Sequence, residues 1–402
     1  MMMTTTFLSK GCRNLSMSAL GYLAASVPPR MAMAGSAVAI PILAVQQMDD
    51  VGVGGAMVAA SLGPSVLAAP AAGAALDAAR RPGVLVAASV LLTAVAFATT
   101  AFLGQIPTPV VFAVLALAGA ASPFYMGGLS SFVADAIPDG RRAFAYDALS
   151  YNFSAVAGPA FVAVMLAFFP AGASLMVLAA AAVVGAFCVS IIGLRPHAAV
   201  TISPWRAIAA GLHRIFRHRP LAVVTAASTL SQLGQGGLAI AAVALSMDRI
   251  GSPSEGALVV TAFAVGSLLG ALYETARPTS ARPHVVMMAG FLGTGLLTIG
   301  AAVDLGTVWT VIAIGASGVF TASTAAAMLF LRNLLSPHHL RSQIFTVGAG
   351  LRASASAAGA ALAASATGLG GTFTVAVIGL VWVLSAAVMA AYPKHPEPVV
   401  PA

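Results

Sequence analysis

Apolar runs of membrane-crossing length recur along the chain, separated by short polar punctuation. They lie at roughly 17 to 46, 53 to 76, 83 to 103, 108 to 135, 142 to 169 and 173 to 194. A second set follows at roughly 220 to 246, 256 to 275, 285 to 303, 308 to 332, 342 to 367 and 372 to 392, each near the ~20 residues that a helix needs to cross hydrocarbon. The runs are unbroken, as from Val84 to Leu103, whereas a β-barrel shows ~10-residue segments of alternating polarity. The pattern predicts an all-α integral membrane protein of twelve transmembrane helices.

Between the two sets lies the one long polar connection, Arg195 to Arg219, with Arg195, Arg206, Arg214, Arg217 and Arg219 among apolar Trp205, Ile208, Leu212, Ile215 and Phe216. The spacing predicts an amphipathic helix with a basic side, suited to an anionic membrane surface. Three parts follow: a six-helix half over 1–194, a cytoplasmic linker over 195–219 and a second six-helix half over 220–402.

Composition agrees with this reading and removes others. Of 402 residues 59% are hydrophobic and only 7% charged, whereas a soluble domain carries about a quarter charged. The formal net charge of +8 has no basic cluster on a soluble face, so nucleic acid is not an expected partner. Sorting the basic residues by loop instead gives topology. Lys10, Arg13, Arg80, Arg81, Arg141, Arg142, the five linker arginines, Arg277, Arg282, Arg332, Arg341 and Lys394 fall on one side, which is therefore cytoplasmic and holds both termini. Arg249 falls on the other side with Asp49, Asp50, Asp248, Glu255 and Asp304, while Arg30 and Arg352 remain inside spans. Met1 to Met17 shows no small-residue cleavage site, so the first run is expected to stay as a span. Two cysteines, Cys12 and Cys188, and no histidine cluster at ligand spacing predict neither disulfide framework nor metal centre. No nucleotide-binding loop, HExxH run or paired intramembrane carboxylates occur, so neither a cofactor nor an enzymatic role is expected.

The loop after the second run reads GAALDAARRP from Gly73 to Pro82, and the loop after the eighth reads GALYETARP from Gly270 to Pro278. Gly73 and Gly270, Asp77 and Glu274, and Arg80 and Arg277 recur at one offset, close to half the chain length. The recurrence predicts a duplicated six-helix unit. On Gly73, Asp77 and Arg81 the chain resembles the major facilitator superfamily, whose signature after the second span is a glycine, three residues, an acid and a basic cluster; Ala78 and Arg80 depart from it. The resemblance covers the whole chain in span count, linker and repeat. It implies two pseudo-symmetric halves, alternating access, and a gating loop in which Asp77 latches against the start of span 11 near Arg341 and Ser342. Gly158-Pro159 in span 5 resembles the core of the signature of bacterial drug and metabolite exporters, with Ser154, Val162 and Ala163 where further glycines are usual. A plain helix kink accounts for the pair equally well.

Polar groups at membrane depth are costly and tend to face a pathway. Arg352 lies about 16 Å along a helix from Arg341, on a face with Gly348, Ser356 and Gly359, and reads as a cavity charge or a structural ion-pair member. Asp147 heads a stripe with Tyr151, Ser154 and Gly158. It reads as a proton carrier or as a partner of Arg141 or Arg142. Arg30, after Pro28-Pro29, reads as a snorkelling residue or one drawn inward by a kink. Gln232 and Gln235 with Ser228, and Tyr125 beside Pro123, complete the candidate pathway, while Ser317, Thr321 and Thr324 read as packing hydroxyls.

The expected function is secondary active transport, with proton-coupled efflux of a small organic compound by alternating access. The alternatives are proton-linked uptake of a nutrient or organic acid, with Arg352 as anion receptor, and a non-transporting membrane sensor. The expected partners are a small-molecule substrate, protons and lipid, and the expected state is a monomer in a bacterial cytoplasmic membrane.

Overall fold

The computed structural model describes residues 4–48, 51–137, 139–192, 194, 196, 204–250 and 254–393. The side chains of Lys10, Cys12, Arg13, Trp205 and Glu255, and the whole of Asp49, Asp50, Arg195 and Lys394, lie outside that description. Among the described residues the named secondary structure is helical. The first six spans are formed by α1 (Thr4–Met48), α2 (Val51–Ala78), α3 (Pro82–Ala101), α4 (Thr108–Ala121) with the short α5 (Gly127–Ser131) and α6 (Val133–Ala136), α7 (Gly140–Leu166) and α8 (Ala171–Ile192). Then come α9 (Pro204–Arg217), α10 (Arg219–Ile250), α11 (Ser254–Ala276), α12 (Pro283–Ala302), α13 (Thr307–Leu335), α14 (Arg341–Ala366) and α15 (Gly371–Ala390).

Eleven segments are long and apolar enough to cross a membrane, making this a multi-pass membrane protein. The helix α14 has the length, 26 residues, but carries Arg341, Gln343, Arg352 and several serines, which lower its hydropathy. The fourth run is not the single helix expected over 108 to 135. It breaks at a 3₁₀ turn, Ser122–Phe124, before α5 and α6. Pro123 removes a backbone donor and Gly127-Gly128 weakens the next turn, so the apolar run continues while the helical ladder does not.

The chain divides into two compact units. The first comprises Met1–Ile208 with His338–Val347, and the second Ala209–Pro337 with Gly348–Ala402. The first turns of α14 thus cluster with the first unit. Within the first unit α1 packs on α8 and α2, α3 on α8 and α4, and α2 on α4. Within the second, α10 packs on α15 and α11, α12 on α15 and α13, and α11 on α13. These five pairings recur between corresponding helices of the two units.

Small residues make these crossings close, as expected where lipid supplies no hydrophobic drive between helices. A Cβ at Gly295 would lie 2.7 Å from the Gly379 carbonyl, and one at Gly379 would lie 2.8 Å from the Gly295 carbonyl, so α12 and α15 meet backbone to backbone. Gly266 and Gly270, one turn apart on α11, meet Gly315 and Val319 of α13 in the same way. Gly270 is therefore inside a helix–helix crossing rather than in the loop. Gly158 packs on α1, where a Cβ would fall 2.6 Å from the Met31 carbonyl and 2.7 Å from the Gly35 nitrogen. Gly158→Val is expected to lower stability by ~1–3 kcal/mol through overpacking, read as a lower thermal midpoint of the purified protein, while Val164→Ala on the exposed face leaves it unchanged.

Candidate functional site

The Gly158 crossing brings α1 and α7 together with Arg30 facing Asp147. Arg30 Nη1 donates to Asp147 Oδ1 at 2.7 Å, and the two side chains are 1% and 0% exposed. The partner of Asp147 is thus an arginine 117 residues away, not the neighbouring Arg141 or Arg142, and Arg30 is buried rather than snorkelling. Tyr22 Oη also donates to Asp147 Oδ1, at 2.6 Å. Arg30 reaches Ser150 Oγ from Nη1, and Ser130 Oγ at 3.0 Å and the Met126 carbonyl at 3.1 Å from Nη2. Its guanidinium lies 3.7 Å from the centre of the Tyr151 ring, a cation–π contact. Tyr151 Oη donates to the Met126 carbonyl at 2.8 Å.

Two atoms of this cluster are buried without a hydrogen-bond partner, Asp147 Oδ2 and Arg30 Nε. The carboxylate is therefore lopsided: Oδ1 takes two donors and Oδ2 takes none. Neutralising Asp147 would remove the ion pair, yet Arg30 would keep two hydroxyls, a carbonyl and an aromatic face.

Four members of the cluster escaped sequence reading: Tyr22, Met126, Ser130 and Ser150. Tyr22, Ser26 and Arg30 do stand at spacings of four, a usable signal for one helical face. The Met126 carbonyl lies at the turn between the 3₁₀ segment and α5, and Pro123 marks that interruption in the sequence. Tyr125, by contrast, does not join the cluster. It is wholly buried against α3, with Thr93 Oγ1 donating to its hydroxyl at 3.4 Å.

At the end of α2, Asp77 is 6% exposed and binds the start of α14. Its Oδ1 accepts from Ser342 N at 2.9 Å and its Oδ2 from Gln343 N at 3.0 Å. A helix start has orphan amides and a positive dipole end, and α14 has no acid in its own first turn. Gly73 permits the approach, since a Cβ there would collide with Gln343 Cα and Thr346 Oγ1. Around this contact Ser131 Oγ meets Ser342 Oγ at 3.0 Å, Arg341 meets Asp135 at 3.5 Å, and the rings of Phe144 and Phe345 stack with centres 6.0 Å apart. Arg80 and Arg81 stay exposed. Glu274, the counterpart of Asp77, is 7% exposed but accepts from Thr279 N at 2.9 Å and Thr279 Oγ1 at 2.8 Å, within its own loop.

In the second unit Arg332, sorted above to the cytoplasmic end of its span, is 0% exposed. Its Nη2 donates to Ser228 Oγ at 2.9 Å, and its guanidinium lies in the space that a side chain at position 348 would fill. The hollow beside Gly348 therefore serves Arg332 rather than Arg352, which is half-buried one turn further along α14. Gly359 and Ser356 pack on α10 at Leu233 and Gly236. Gln232 Nε2 donates to Gln235 Oε1 at 2.7 Å. Ser317, Thr321 and Thr324 return their hydroxyl protons to carbonyls of their own helix. Among the described residues no group of three metal-ligating side chains converges.

This arrangement of helices is the major facilitator fold. A bacterial homologue of the iron transporter ferroportin aligns with a TM-score of 0.72 at 16% identity, over 94% of this chain and 100% of its own. The human organic anion transporter MFSD10 (TETRAN) gives 0.73 at 14%, over 94% and 99%. The fucose:proton symporter FucP of E. coli gives 0.71 at 15%, over 93% and 98%. No family model and no curated protein matches the sequence.

Removing one member of a buried ion pair strands the other, at a cost of about 3–5 kcal/mol. Arg30→Met, which leaves the Asp147 carboxylate with Tyr22 alone, is expected to lower the thermal midpoint sharply, Asp147→Leu to lower it less because Arg30 keeps its other partners, and the Arg30→Met/Asp147→Leu double variant to regain most of the Arg30→Met loss. Losses that simply add in a double-mutant cycle would contradict the coupling.

Proposed function

We propose that the chain is a proton-coupled secondary transporter, moving a small organic compound by alternating access of its two units, with Asp147 as the proton site. The observation that carries this is the lopsided carboxylate: a buried Asp147 with Oδ1 doubly bonded and Oδ2 bare, against an arginine solvated well enough to outlast its neutralisation. In the ionised state the pair draws α1 and α7 together. Protonation at Oδ2 discharges Asp147, weakens the Arg30 bond and leaves Arg30 held by Ser130, Met126 and Tyr151. One element then has two arrangements that differ by a proton, which is what coupling requires.

Asp77 acts as the latch in this reading. Opening of the end where α2 meets α14 must break two charge-assisted bonds, and the distribution of Lys and Arg assigns that end to the cytoplasm. Transport is outward in exchange for protons, by the resemblance of Gly158-Pro159 to the exporter signature. The cargoes named for the three similar structures, iron transport, organic anions and fucose with protons, differ so widely that the fold leaves the substrate to the side chains.

Purified protein in sealed vesicles, given an imposed pH gradient and a panel of labelled organic solutes, should show gradient-driven flux. Asp147→Asn is expected to cut that flux to below a tenth while solute-for-solute exchange persists; gradient-driven flux at the wild-type rate would refute the proton role. Asp77→Asn should slow transport with unchanged protein in the membrane and raise maleimide labelling of a cysteine at Ser342. Unaltered labelling and rate would remove the latch.

A further inference from the structure

The span containing α10 runs from Arg219 to Arg249, so Gln232 and Gln235 lie at least about 20 Å from either end of it. Both are accessible, Gln235 exposed and Gln232 half-buried. An amide that faces hydrocarbon without partners costs several kcal/mol, so this face of α10 meets an aqueous or substrate-filled space. The two side chains are also organised. Gln232 Nε2 donates to Gln235 Oε1 at 2.7 Å, which fixes both heads and leaves Gln232 Oε1 as an acceptor beside the Gln235 amide as a donor.

One turn beyond Gln235 a groove of ≈ 530 Å³ begins, lined by Ala239, Ile240, Val243, Ala244, Met247 and Asp248. Its wall is apolar for about 12 Å along the helix, from Ala239 to Met247. The carboxylate at its far end is engaged, Asp248 Oδ2 accepting from Gly371 N at 2.5 Å at the start of α15. Arg249 is directed away to Thr310 Oγ1 at 2.8 Å and the Ala302 carbonyl at 2.9 Å. The groove thus offers an anion no counter-charge, keeps its one carboxylate at the far end from the amides, and gives a flat apolar body a continuous surface with a donor–acceptor pair at the near end.

We propose that Gln232 and Gln235 form the head-group subsite for a neutral substrate with a carboxamide-type edge, a carbonyl beside an N–H, whose apolar body lies along Ala239, Val243 and Met247. The assignment rests on the transporter reading above and names its substrate class. Methionine closes the wall, and its unbranched thioether accommodates more than one apolar shape. Discrimination comes from the amides, because a subsite built to hydrogen-bond a polar group rejects the analogue that lacks it.

The test uses the full chain in lipid nanodiscs, with radiolabelled biphenyl-4-carboxamide and its methyl ketone analogue, which keeps the carbonyl and loses the N–H. The carboxamide should bind at least tenfold more tightly than the ketone, and biphenyl-4-carboxylate and 4-aminomethylbiphenyl more weakly than the carboxamide. Gln235→Met and Gln232→Met should each erase the preference with the thermal midpoint within a few degrees of wild type. If either variant unfolds, Ala239→Cys in a background with Cys12 and Cys188 replaced by serine gives the second readout: the carboxamide, and not the ketone, should protect it from maleimide. Equal binding of amide and ketone, absence of binding by any of the four, or a preference that survives both glutamine variants would overturn the assignment. Gradient-driven flux of a charged solute with no carboxamide binding would sink this inference and leave the transporter reading standing. Carboxamide binding without any gradient-driven flux would do the reverse.

Discussion

A guanidinium deep in a membrane protein must be solvated by the protein itself, and the first unit is arranged around meeting that need for Arg30. Its partners come from two places: Tyr151, Asp147 and Ser150 from α7, Met126 and Ser130 from the broken fourth span. Met126 stands at the turn between the 3₁₀ segment and α5, where Arg30 Nη2 and Tyr151 Oη both donate to its carbonyl. Gly158 belongs to the same arrangement, since its missing side chain sets the depth at which α7 meets α1 and hence the 2.7 Å bond between Arg30 and Asp147.

The two halves repeat their helix pairing but not their electrostatics. The start of α7 is capped by its own Asp139, whose Oδ1 accepts from Arg141 N at 3.1 Å and Arg142 N at 3.2 Å. The start of α14 has no acid nearby in sequence and takes Asp77 from a helix more than two hundred residues earlier. A local cap holds whatever the surrounding helices do. A distant cap is also a tie, and it can be untied. Glu274, closed on Thr279 of its own loop, shows that a repeated motif need not keep a repeated role.

Hydropathy made the spans, the basic linker and most boundaries legible, because lipid exposure acts on every residue of a helix at once. The α9 helix follows the predicted amphipathic spacing, with Ile215 buried while Arg206 and Arg217 are exposed. The Asp77 contact was legible too, through the family resemblance rather than the residues' own chemistry. The pairing of Arg30 with Asp147 was not, since each stood out by depth alone and sequence spacing carries no information about the register of two separate helices. The enclosure of Arg332 was not legible for a related reason. A cation near the end of an apolar run looks like a loop residue, and only the absent side chain of Gly348, on another helix, turns that position into an enclosed one.

The positive balance of the chain separates into two kinds of charge. Arg80, Arg81, Arg277 and Arg282 lie in loops and Arg206, Arg214 and Arg217 along α9, positions where solvent screens charge and number matters more than exact place. Arg30 and Arg332 lie where no solvent screens them, and each is accommodated by a residue that contributes no side chain or that stands at the turn of a broken span: Gly348 for Arg332, the Met126 carbonyl for Arg30. Helices made of small residues pack densely enough that such spaces must be left deliberately, by a glycine or a broken turn. The places where the packing rule is relaxed are therefore the places where charge has been admitted, and in the first unit that charge has a carboxylate beside it with one oxygen still bare.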